Sequence, residues 1–105
     1  MSEAEVLNTT LTALRDLSRR LLAEATVHDA VRLFLAADCT DLETDIEEIA
    51  LAKGIRLDEG AAPAEPSVDA DVTALKTARQ LLAGDAATRA VADRIGQALE
   101  RLAAL

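Results

Sequence analysis

The sequence predicts an all-α protein, an antiparallel four-helix bundle made of two helical hairpins. Three observations carry that expectation. Forty of the 105 residues are Ala or Leu, the strongest helix formers. The β-branched and aromatic residues that fill strands are sparse, and Phe34 is the one aromatic side chain. Apolar residues recur at three- and four-residue spacing through four segments separated by turn residues.

The first helix is expected over about residues 3–25. Ser2 followed three residues later by Glu5 reads as a capping box. Leu7, Leu11, Leu14, Ser18, Leu21 and Ala25 form one stripe, flanked by Leu17 and Leu22. Arg15, Asp16, Arg19 and Arg20 then fall on the outer face, and Thr10 and Ser18 face inward and hydrogen-bond back to their own helix. The second helix is expected over 27–53, capped within Thr26–Asp29. Its stripe is Val27, Val31, Leu35, Leu42, Ile46 and Ile49, and Lys53-Gly54 is the C-terminal signature. So short a link makes the first two helices an antiparallel hairpin. Phe34 is expected in the core, and Cys39 as a small buried hydrophobe. His28, in the first turn, reads as a surface or capping residue.

The helical pattern fails over 54–67, where Gly60, Pro63 and Pro66 mark a loop. Such a loop stretches to about 46 Å, enough to cross a helix of roughly 25 residues. A crossover to the far end and a slack return to the same end both remain open. The third helix is expected over 68–83, burying Val68, Val72, Leu75, Ala78 and Leu82. Gly84 closes it, and Asp85 caps a fourth helix over 86–105 with the stripe Val91, Ala92, Ile95, Ala98, Leu99 and Leu102. Gly96, inside that helix, marks a close approach, since Gly there costs about 1 kcal/mol relative to Ala. The whole chain, 1–105, reads as a single domain. Stripes lightened by alanine bury less apolar surface than aromatic ones, which points to a homodimer.

Composition excludes several classes of function. The net charge of −8 opposes binding to nucleic acid, which needs clustered Lys and Arg, and adsorption to anionic membranes. One cysteine and one histidine cannot make an internal disulfide, a CxxC zinc site or a two-histidine metal motif. The glycines stand too far apart for a phosphate loop. No membrane-length apolar run or basic, apolar leader is visible, so a cytoplasmic location is expected.

The feature that least fits a plain bundle is a line of acids on the second helix. Asp38, Asp41, Asp45 and Glu48 recur at three- and four-residue spacing, and six acids with no base lie between positions 38 and 48. One reading makes Asp38, Asp41 and Asp45 inward ligands for a cation or an iron or manganese centre. The other makes the acids a solvated flank, with Asp38 paired to Arg79 and with Asp41 and Glu48 meeting a partner's basic surface.

The stretches Val6–Ala25, Asp29–Gly54 and Leu75–Leu102, with a Gly/Pro-containing connection between the hairpins, resemble the small ferritin-like domain of uncharacterised bacterial proteins. The resemblance implies a ferritin-like bundle, in some relatives with a carboxylate-bridged metal pair. The Glu-x-x-His motif that marks such a centre is missing here, and Glu24 is only at the edge of the first stripe. The fold therefore carries over and the metal chemistry does not. No cofactor and no catalytic constellation are expected. The function that remains is non-enzymatic: protein–protein interaction or regulation through a homodimer or a partner with a basic surface. The alternative is a ferritin-like iron- or manganese-binding protein.

Overall fold

The computed structural model describes residues 2–26, 28–58 and 66–105. They form four helices: α1 (Glu3–Glu24), α2 (Ala30–Ala52), α3 (Val68–Ala83) and α4 (Arg89–Ala103). None of these is long and apolar enough to cross a membrane.

Side-chain caps fix three of the four starts. The backbone N–H of Glu5 donates to Ser2 Oγ at 3.2 Å, that of Arg32 to Asp29 Oδ1 at 3.2 Å, and that of Ala70 to Ser67 Oγ at 3.0 Å. Because the cap of α2 is Asp29, that helix begins later than the expected position 27; Val27 itself lies outside the described residues. The fourth helix also begins late, at Arg89 rather than 86. Asp85 does not cap it: its Oδ1 accepts from the N–H of Ala87 at 3.0 Å and closes a turn instead. The Thr88 hydroxyl then donates to the Leu82 carbonyl at 2.6 Å, tying the turn back onto α3. At the end of α2, Gly54 takes φ +68°, which lets the N–H of Ile55 reach the Ala50 carbonyl at 2.8 Å. Only glycine adopts that left-handed conformation without steric cost.

Cross-helix pairs give the directions. Lys53 meets Glu3 at one end of α1–α2 and Arg32 meets Glu24 at the other, so those helices are antiparallel. Asp38 pairs with Arg101 and Asp45 with Arg94, so α2 and α4 are antiparallel as well. Asp16 of α1 meets Asp71 of α3, while Val6 and Thr9 share a groove with Thr73 and Thr77, which again is antiparallel. Each helix touches two neighbours: α1 packs on α2 and α3, and α4 packs on α3 and α2. The backbones of the diagonal pairs, α1 with α4 and α2 with α3, do not come close among the described residues.

Helices α2 and α3 therefore point the same way across the diagonal. The end of α2 and the start of α3 lie at opposite ends of the bundle, which decides between the two routes left open by the sequence. The start of the connection is pinned to α1, where the N–H of Asp58 donates to Asn8 Oδ1 at 2.6 Å. The expected breakers Gly60 and Pro63 lie outside the described residues.

The core is aliphatic. Leu7, Leu14, Ile46 and Ile95 are wholly inaccessible, and small residues such as Ala36, Ala50, Ala78 and Ala92 let the helices approach. Truncating one of the large side chains to Ala costs about 2–5 kcal/mol. Several stripe residues correct the sequence expectation. Phe34 is 61% exposed, Val31 57%, Leu22 55% and Val68 43%. The buried arc of α2 is instead Leu35, Ala36, Cys39, Leu42, Ile46 and Ala50. That arc is rotated away from Phe34 because α2 has to face α1 and α4 together.

The outer face expected for α1 is corrected too. Asp16 is 3% exposed. Val6, Thr9, Ala13, Asp16 and Arg20 follow one another at three- and four-residue steps, a second line beside the leucine stripe. A helix with two neighbours needs two such lines, and this one faces α3.

Candidate functional site

Two seams join the hairpin α1–α2 to the hairpin α3–α4, and each carries an unusual group of side chains. On the α2–α4 seam, helical spacing sets Val31, Phe34, Asp38, Asp41 and Asp45 along one edge of α2. The facing edge of α4 supplies Arg94, Gln97 and Arg101. Asp45 bonds to Arg94 and Asp38 to Arg101. Arg101 also lies over the Phe34 ring, 5.4 Å from its centroid, a cation–π geometry. Asp41 is exposed and lines a groove of about 60 Å³ with Leu42 and Gln97. Glu48 is exposed one turn beyond Asp45.

The expected pairing of Asp38 with Arg79 is not made. Arg79 belongs to α3, the diagonal neighbour of α2, and cannot reach across. Its guanidinium instead lies over Gly96 of α4, where an added Cβ would come within 2.9 Å of Cζ. The close approach marked by Gly96 is thus to an arginine side chain. Asp38 and Asp45 are each neutralised by an arginine and do not converge with Asp41. Among the described residues, no group of three or more His, Cys, Asp or Glu is placed to hold a metal ion.

On the α1–α3 seam, Asp16 and Asp71 meet, each 3% exposed. Arg20 Nε donates to Asp16 Oδ2 at 2.7 Å and Arg19 donates to Oδ1 at 3.2 Å. Oδ2 of Asp71 is buried with no donor facing it. Burial, followed by the Asp16 carboxyl, pushes Asp71 up to about 7. Asp16 is held below the usual carboxylate range, first by the hydrogen bond from Asp71 and then, against burial, by Arg20 and Arg19. This pair was not singled out in the sequence. Its signal was present: Asp71 stands four residues before Leu75, and Asp16 three after Ala13, both at core-facing steps. Reading a single stripe per helix hides it.

The other polar positions have local roles. Thr10 bonds back to the Val6 carbonyl at 2.6 Å as expected, whereas Ser18 reaches across to the Thr40 hydroxyl at 3.5 Å. Thr40 donates to the Ala36 carbonyl, so Ser18 is the donor of that pair. Cys39 is buried, and desolvation together with nearby carboxylates pushes its thiol up to about 12. It is inert at neutral pH, since the thiolate is the nucleophile. His28 is exposed in the turn before α2. At the far end, Lys53 contacts Glu3 and, at 4.0 Å, Asp85.

A groove of about 380 Å³ lies between α1 and α3, lined by Val6, Thr9, Asp69, Ala70, Thr73, Ala74 and Thr77. The Thr73 and Thr77 hydroxyls are turned back to their own helix, donating to Asp69 and Thr73 carbonyls, which leaves the groove apolar.

No family model matches the chain, and neither a curated protein nor a solved structure is found to match it.

Proposed function

We propose that this protein is a non-enzymatic interaction or regulatory module and that the α2–α4 face is its contact surface. The observation that carries this reading is Phe34. The chain has one aromatic side chain, and it stands 61% exposed beside exposed Val31 while the core is filled without it. Aromatic and arginine side chains dominate binding energy at protein interfaces, and Arg101 already lies over the ring. Below this apolar end, Asp41 and Glu48 extend the face with negative charge, complementary to a partner's basic surface. A second copy of the chain is the other partner this face suits, through Val31 and Phe34.

A ferritin-like classification belongs to the same proposal. It is supported by the helix directions, in which α2 and α3 are parallel diagonal neighbours joined end to opposite end. Metal chemistry is not part of the reading.

Light scattering and binding measurements on the wild type, Phe34→Ser and the double variant Asp41→Lys/Glu48→Lys test it. Phe34→Ser is expected to weaken association at least tenfold and to leave the melting temperature unchanged, because the ring is outside the core. The lysine double variant is expected to abolish binding of a basic partner and to spare self-association. Association that is indifferent to both changes overturns the assignment of this face.

A further inference from the structure

The most unusual polar group in the molecule lies away from the proposed contact face. Asp16 and Asp71 approach each other from different helices, each 3% exposed, at the seam that holds the second hairpin onto the first. Asp16 is satisfied from its own helix by Arg19 and Arg20. Asp71 is not: its Oδ2 is enclosed and faces no donor. Two ionised carboxylates in that position would leave one buried charge unbalanced, a condition buried groups avoid by neutralising. A carboxylic acid resolves it, since a protonated Asp71 donates to Asp16 and carries no charge into the core.

We propose that Asp16 and Asp71 share a single proton across the α1–α3 seam, and that losing this proton loosens the attachment of the α3–α4 hairpin to α1. The proton is then a structural ligand of the bundle. The surroundings favour it on balance. From α1, Asp16 repels a second negative charge while Arg20 and Arg19 offset only part of that repulsion. From α2, the nearby Cys39 thiol is protonated and brings no positive charge. The charged groups at the end of α4, Glu100 and Arg101, are exposed, and Arg101 is engaged by Asp38. On α3 itself Asp69 is exposed and acidic.

The direction of the pH effect follows from linkage. Asp71 is raised to about 7 in the folded chain against 3.8 as the ordinary value, so the folded state binds the extra proton between those limits. Its stabilisation is complete below the lower limit, declines as pH rises, and is gone above about 7. Asp16, which is lowered, acts oppositely and only in more acidic solution.

The test uses the full chain carrying His28→Gln, so that no imidazole is present. Between pH 5.5 and 8.5 the unfolding equilibrium constant is expected to rise about 30-fold, and in Asp71→Asn, whose amide donates at every pH, by less than about threefold. Should the variant fail to fold, carbon-13 NMR of the Asp71 carboxyl in the folded protein decides the matter alone. A titration midpoint between pH 6 and 8 is expected. A midpoint near 4, or an equal rise in Asp71→Asn, overturns the proposal.

Discussion

The two seams between the hairpins use the same residue types and opposite physics. On the α2–α4 seam, Asp38 and Asp45 meet arginines from the opposite helix at the rim, with Arg94 and Arg101 nearly half exposed. On the α1–α3 seam, Asp16 and Asp71 meet each other out of contact with water, and the arginines sit on the helix of Asp16. Solvent screens the first arrangement, so each pair contributes at most about 1 kcal/mol. Burial leaves the second with little solvent screening, so the protonation state decides whether it holds the hairpins together or drives them apart. An ion pair seen in a structure is therefore a poor guide to stability until its burial is known.

Substitutions can break this contrast in a definite order. The largest effect is expected from Asp16→Ala at pH 5.5, which leaves the Asp71 acid without an acceptor. The loss is about 2 kcal/mol, read as a fall in melting temperature of roughly 8–16 °C for a domain of this size. Next is Asp71→Leu at pH 8, which replaces a buried charge by an apolar group and stabilises by about 1–2 kcal/mol. Chemical denaturation at that pH checks it, and a loss of stability there would show that the seam tolerates the charge.

The same type of change on the other seam should do much less. Asp45→Ala is expected to cost under about 1 kcal/mol, and the cost should shrink further in concentrated salt. A loss as large as that of Asp16→Ala would erase the distinction between the seams. The smallest effect is expected within a hairpin. Gly96→Ala displaces only the flexible end of Arg79, and the gain in helix propensity should leave a net stabilisation of about 0.5 kcal/mol. A melting temperature below that of the wild type would mean that Arg79 has no other place to go.

Legibility in the sequence followed the number of neighbours an element has. The limits of α3, Val68–Ala83, are those expected from Ser67 and Gly84, because both ends are set by local chemistry. The starts of α2 and α4 were less legible, since several residues compete to cap each and the turn geometry selects Asp29 over Thr26 and diverts Asp85. Inward and outward faces were least legible. Phe34 is drawn to a core by its chemistry alone, yet the arc of α2 that meets both neighbours passes it by. The acids of α2 stand out in the sequence because they are numerous; of their line, Asp38 and Asp45 prove to be rim groups paired with arginines, and Asp41 and Glu48 are exposed. The pair that carries the stronger electrostatics, Asp16 and Asp71, lies 55 positions apart and looks ordinary at each site.

By itself, the sequence determined helices, their approximate limits and the antiparallel pairing within each hairpin. Those properties depend on propensity, caps and short links, which act over a few residues. The tertiary structure alone decided which hairpin edges meet, that α2 and α3 are diagonal, and that two acids close on one proton while the one aromatic ring stays outside. Those outcomes depend on the rotation of each helix about its own axis, and that rotation is set by two neighbours at once.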